Sequence, residues 1–151
     1  MNTGLTKENT YRFDAMPWPT SADYETAVLN LKHSMGDPEL QAGETALNRR
    51  GMPMLWAGGF ADVYKISGAD GTKKWALKCF TRKVTARAIR YRHISQHLKQ
   101  AKLPFMVDFR YLTEGVRIRG EWYPALKMQW VENGLCLNEF VERYLDRPKM
   151  L

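Results

Sequence analysis

The sequence predicts an α+β fold: a five-stranded antiparallel sheet with one helix packed across it, a helical N-terminal extension and a C-terminal helix. Three observations carry this reading. Residues 52–80 consist of short apolar or alternating runs punctuated by glycines. Val84, Ala88, Tyr91 and Leu98 then recur at helical spacing. Two further strand-like runs, 105–112 and 122–131, follow with glycines between them.

Taken in order, residues 1–17 are polar and without period, and are expected to be a disordered tail. The extension covers 18–50. Thr20 and Asp23 have the spacing of a capping box, and Tyr24, Ala27, Val28 and Leu31 make one apolar stripe, so a helix is expected over 21–33. Gly36-Asp37-Pro38 ends it, with short helices expected near 38–42 and 45–49. The sheet-bearing region covers 51–133. Met54-Leu55-Trp56 is a strand that stops at Gly58-Gly59. Residues 61–66 are the second strand, 67–71 a turn with two glycines, and 74–80 the third strand. A helix of about 16 residues then ends at Leu103-Pro104. The next hairpin turns at Glu114-Gly115 or at Arg119-Gly120. Residues 134–151 begin a further unit with an amphipathic helix over 137–145.

Composition bounds the function classes. A chain of 151 residues can bury a core of its own. It has no apolar run of about 18 residues, so no membrane-spanning helix is expected. Its first residues lack the apolar segment of a secretory signal. Cys79 and Cys136 are far apart and have no metal-binding spacing, which fits a reduced, cytoplasmic chain. The net charge is +7, and it is concentrated. Residues 1–50 carry −2, residues 51–100 carry +8 and residues 101–151 carry +1. Such a middle attracts phosphates, nucleic acid or an acidic partner, or is simply a solvated helix face.

The chemistry-bearing pattern is Gly58-Gly59-Phe60-Ala61-Asp62-Val63-Tyr64, with Ala76-Leu77-Lys78 one strand further on. Glycines at a strand end let backbone amides approach a phosphate, and a lysine on a neighbouring strand supplies charge. Together these residues resemble the glycine-rich loop and third strand of eukaryotic-like protein kinases, bacterial-type Ser/Thr kinases among them, in the N-terminal lobe only. The resemblance covers roughly residues 52–147. It implies that Gly58, Gly59 and Phe60 cover the phosphates of ATP and that Val63 and Ala76 enclose the adenine. Lys78 then reaches the α- and β-phosphates. Leu126-Lys127-Met128-Gln129-Trp130-Val131 resembles the fifth strand running into the hinge. On that match Met128 is the gatekeeper, and the backbone of Gln129 and Val131 bonds the adenine edge.

The departures are specific. Trp56 and Ala61 stand where the loop pattern has its first and third glycines, and Trp56 is expected to pack outside the pocket. The kinase helix supplies a glutamate partner to the lysine, yet no acid occurs between Cys79 and Val107. Within these 151 residues there is no H-R-D-x-x-x-x-N. Asp108-Phe109-Arg110 imitates a D-F-G but precedes the hinge, so it reads as strand. No catalytic residue is therefore assigned, and magnesium lacks its protein ligands. The resemblance implies a pseudokinase-like ATP-binding module or a truncated kinase, whose full-length relatives phosphorylate Ser or Thr. Two other readings stay open. One is an interaction module that binds a protein partner, or itself, through apolar surface on the hinge side. The other is a basic adaptor for nucleic acid using Arg82, Lys83, Arg87, Arg90, Arg92 and Lys99. His93 and His97 have a zinc-compatible spacing, but the sequence supplies no nearby cysteine or carboxylate to complete a site.

Overall fold

The structure, a computed structural model, describes residues 17–104, 107–135 and 137–145. Nearly all of the expected tail lies outside them, as do positions 105–106, 136 and 146–151. The extension contributes α1 (Ser21–Val28), α2 (Leu31–Ser34), α3 (Pro38–Gln41) and β1 (Glu44–Thr45). There follow β2 (Leu55–Ala57), β3 (Ala61–Ser67), β4 (Lys74–Phe80), α4 (Arg87–Ala101), β5 (Phe109–Ile118), β6 (Glu121–Gln129) and α5 (Leu137–Tyr144). All strand pairs are antiparallel, in the order β1-β3-β4-β6-β5, with β2 also on β3.

The α+β class and the packed helix are as the sequence implies, and the sheet gains a sixth strand. Two expectations for the extension are corrected. The helix expected over 21–33 is two helices. The Thr45 hydroxyl donates to the Val28 carbonyl, which in an unbroken helix would accept the amide four residues on. The helix expected near 45–49 is replaced by β1, because Glu44 and Thr45 pair with Ser67 and Ile66. Gly43 permits that approach, since a Cβ there would lie 2.7 Å from the Ser67 carbonyl oxygen. The capping box is present: the Thr20 amide donates to Asp23 at 2.8 Å, and the Asp23 amide to the Thr20 hydroxyl at 3.4 Å. The second hairpin turns at Arg119-Gly120, where both residues are left-handed, φ 52° and 84°. Gly115 sits at a shift of register inside β5 instead.

Alternation gives the sheet two buried faces. On the back face, Tyr64, Ile66, Leu77, Cys79, Val116 and Ala125 pack against Tyr24, Val28, Leu31, Met35 and Leu40 of the extension. The Tyr24 hydroxyl and the Trp18 indole both donate to the Phe80 carbonyl at the end of β4. Lys127 of β6 enters this face with its side chain only 2% exposed. Its ammonium meets Asp37 at 2.7 Å, contacts Glu39, and lies 4.3 Å from the Trp75 ring centroid. Asp37 also caps α3, accepting from the amides of Glu39 and Leu40. On the front face a smaller core gathers Ala61, Phe80 and Leu126 with Tyr91 of α4 and with Phe109, Tyr111 and Met128. Arg87 opens α4 beneath this core, its guanidinium 3.9 Å from the Phe80 ring and donating to the Arg82 carbonyl.

Losing one partner of a buried ion pair is costly, and without Asp37 the Lys127 ammonium keeps only the half-exposed Glu39. Asp37→Ala is therefore expected to lower the unfolding free energy by at most about 3–5 kcal/mol. Asp37→Asn, which keeps an acceptor for the α3 amides, is expected to cost less. Urea unfolding of both variants checks this.

Burial pushes up the Cys79 thiol and the Tyr24 and Tyr64 hydroxyls. The unfolded chain ionises at the ordinary values, about 8.5 for Cys and about 10 for Tyr. Stability from these groups is thus full below about pH 8.5 and is lost as pH rises beyond it. The urea midpoint should fall steadily between about pH 8.5 and 10.5, and Cys79→Ala should delay the onset of that fall.

Candidate functional site

Directly opposed antiparallel residues share a face, so register assigns the side chains. Trp56, Val63, Lys78, Leu126 and Tyr111 form one row across β2, β3, β4, β6 and β5. Lys65, Ala76, Met128 and Phe109 form the next. Val63, Ala76, Lys78 and Met128, far apart in the chain, are thereby brought together on the front face. The core under α4 closes the β5–β6 end of that face. Toward β2, Val63 and Lys78 are only partly buried.

The turn between β2 and β3 edges the open part. The Gly58 amide donates to the Ala61 carbonyl at 2.9 Å, and the Thr81 amide to the Phe60 carbonyl at 3.0 Å. The turn is thus tied to the end of β4. Neither Gly58 nor Gly59 is left-handed. What the pair provides is bare backbone: a Cβ on Gly59 would meet nothing within 4 Å. Phe60 at the tip is 63% exposed, with the Arg82 guanidinium 4.9 Å from its ring.

Opposite the turn, β6 runs out at Gln129, which pairs with Trp75 and so belongs to the back-face register. The Trp130 amide continues the ladder, donating to the Lys74 carbonyl at 2.9 Å. Val131 follows, 57% exposed. Glu132 joins this segment to β3 and β4, meeting Lys65 at 3.2 Å and Lys74 at 2.5 Å. Those two hydrogen bonds hold its carboxyl below the usual range.

Trp56 does not pack outside this region. Its place opposite Val63 puts it on the front face, and its ring meets Trp130 with centroids 4.8 Å apart. The Lys65 ammonium lies 5.0 Å from the Trp130 ring. A hairpin closed by Gly58–Phe60 makes this register the natural one, so counting outward from the glycine pair would have placed Trp56. The buried Lys127 carried a signal too: it is a lone cation between Leu126 and Met128 in an apolar strand.

Lys78 forms no ion pair among the described residues. The packed helix α4 carries no carboxylate in any of its 15 residues. Asp108 precedes β5 and is exposed, and Phe109 beside it pairs with Met128 as strand. His93 and His97 lie exposed on α4, and among the described residues no three metal-ligating side chains gather.

Chemically, this face combines an apolar strip, a lysine, an exposed glycine backbone and two tryptophans. No family model matches the chain, nor does any curated protein or solved structure.

The Trp56–Trp130 contact joins two segments that no hydrogen bond joins directly, so it should be measurable. A double-mutant cycle with Trp56→Ala and Trp130→Ala is expected to give a coupling of about 0.5–1.5 kcal/mol in urea unfolding. Glu132→Gln, at an exposed pair, should leave the urea midpoint almost unchanged.

Proposed function

We propose that the chain binds ATP on the front face of its sheet, as a protein-kinase-like small lobe, and does not itself transfer phosphate. One observation carries the reading: strand register sets Val63, Ala76, Lys78 and Met128 on one face, between the exposed Gly58-Gly59 turn and the strand end at Gln129–Val131. The chemistry of the face fits a nucleotide. Val63 and Ala76 offer an apolar surface to a base. Trp56 and Trp130 stand beside it as stacking surfaces. Lys78, without an ion pair among the described residues, offers a cation to phosphate, and the turn offers backbone amides. The strand order supports the family reading, since it puts the turn strand, the lysine strand and the hinge strand side by side.

The face does not fit a magnesium clamp. The one carboxylate the described residues bring against its rows, Glu132, is bonded to Lys65 and Lys74, and the sequence has neither the catalytic-loop base and Asn nor a D-F-G following it. Binding is therefore argued from Lys78 and the backbone, with no step routed through the metal.

A second reading rests on exposure. Val131, Leu135 and Leu145 on the hinge side are 57%, 38% and 61% exposed, which favours a protein contact there.

A charge-assisted contact to phosphate is worth about 1.5–3 kcal/mol. Lys78→Ala should accordingly weaken ATP binding by roughly ten- to a hundredfold without changing the unfolding midpoint. Calorimetric titration of both proteins tests this, and equal affinities remove Lys78 from the site. Radiolabel from γ-labelled ATP should reach neither peptide nor protein above the Lys78→Ala background.

A further inference from the structure

β5 is the outer strand of the sheet, and α4 crosses the front face beside it. Between them runs a groove of about 320 Å³. Its floor is aromatic: Tyr91 and Tyr111 stack at 5.7 Å and 18°, and Phe109 meets Tyr91 edge-on. Its rim is cationic. Arg92 and Lys99 reach it from α4, one helix face seven residues apart. Among the described residues no carboxylate lines it. Residues 80–107 contain no acid at all, so nothing within α4 neutralises the rim.

The strand and the charges point to one kind of occupant. An outer strand offers main-chain donors and acceptors to an added strand. Register assigns the two sides of that addition. Phe109 and Tyr111 belong to the front face with the groove, whereas Arg110 pairs with Lys127 and belongs to the back. Arg110 is already 3.5 Å from Asp37, yet its side chain remains 67% exposed. Asp108 and Glu114 bound the stretch at either end and limit it to the five residues between them. Farther along, the Gly36 amide bonds the Gly115 carbonyl, so the extension already covers the strand there.

We propose that the groove between α4 and β5 binds an extended acidic peptide of a partner protein, added as a strand along residues 109–113. Acidic side chains on its front face meet Arg92 and Lys99. A single-stranded nucleic acid fits less well, because Tyr91 and Tyr111 stack on each other and leave no free ring face between them for a base. The proposal is independent of ATP binding.

The test is fluorescence polarisation with a labelled peptide of alternating glutamate and valine, the full chain titrated at moderate salt. The matching glutamine–valine peptide and an oligouridylate are parallel probes. Arg92→Glu with Lys99→Glu is expected to weaken the glutamate peptide at least about tenfold. Lys83→Glu with Lys102→Glu changes net charge equally outside the groove and should leave it within about twofold. Amide exchange at 110–113 should slow when the peptide is bound. The proposal is overturned if the glutamine peptide binds as well, or if both double variants lose affinity alike. It is equally overturned if the oligouridylate binds more tightly, or if exchange slows elsewhere and not along β5. Circular dichroism of both double variants keeps a folding failure distinguishable, and Lys99→Gln alone gives a milder second reading of the same rim.

Discussion

The ion bridge from Lys127 to Asp37 is the constraint on which the rest of the arrangement depends. It carries a charge into the back of the central sheet, where only paired charges are tolerated. The same carboxylate caps α3, so one side chain fixes both the helix and its distance from β6. With α3 held, α1 and α2 cover the back face with Tyr24, Val28, Leu31 and Met35. A sheet so covered behind has one face left for chemistry. On that face α4 covers the β5–β6 side and the Phe80 end of β4. The open strip around Val63 and Lys78 is what these two packings leave uncovered.

The two readings of function draw on separate parts of this plan. The proposed nucleotide face lies toward the glycine turn and would use Lys78. The proposed peptide groove lies at the opposite edge and would use Arg92 and Lys99. Both follow from the same imbalance, a middle third rich in cations with almost no acids. The helix α4 carries no carboxylate, and Lys78 forms no ion pair among the described residues. Arg87 shows how the fold tolerates an unpaired cation, through a carbonyl and an aromatic ring rather than a carboxylate.

Much of the sheet was legible because its signals are local. Residues 61–66 alternate, the glycine pair marks a turn, and Arg119-Gly120 suits a tight hairpin. The misses share a cause, which is contact between residues distant in sequence. Tyr24, Ala27, Val28 and Leu31 do form one buried stripe, but Thr45 takes the Val28 carbonyl and breaks the helix beneath it. Glu44 and Thr45 have no strand signal of their own and pair because Gly43 lets them reach Ser67. In the candidate site, Val63, Ala76, Lys78 and Met128 were readable as a pattern, and their common face follows from register. At a loop-glycine place, the residue type of Trp56 gives no sign of the face it takes. Its partner Trp130 lies 74 positions away, beyond any local pattern.

The most direct measurement is an amide chemical-shift map of the isotopically labelled chain titrated with ATP. The account predicts shifts concentrated at Gly58–Val63, Ala76–Lys78 and Gln129–Val131, with Tyr24, Leu40 and Val116 behind the sheet unmoved. Shifts confined to α4 or to the back face, or none at millimolar ATP, would contradict it.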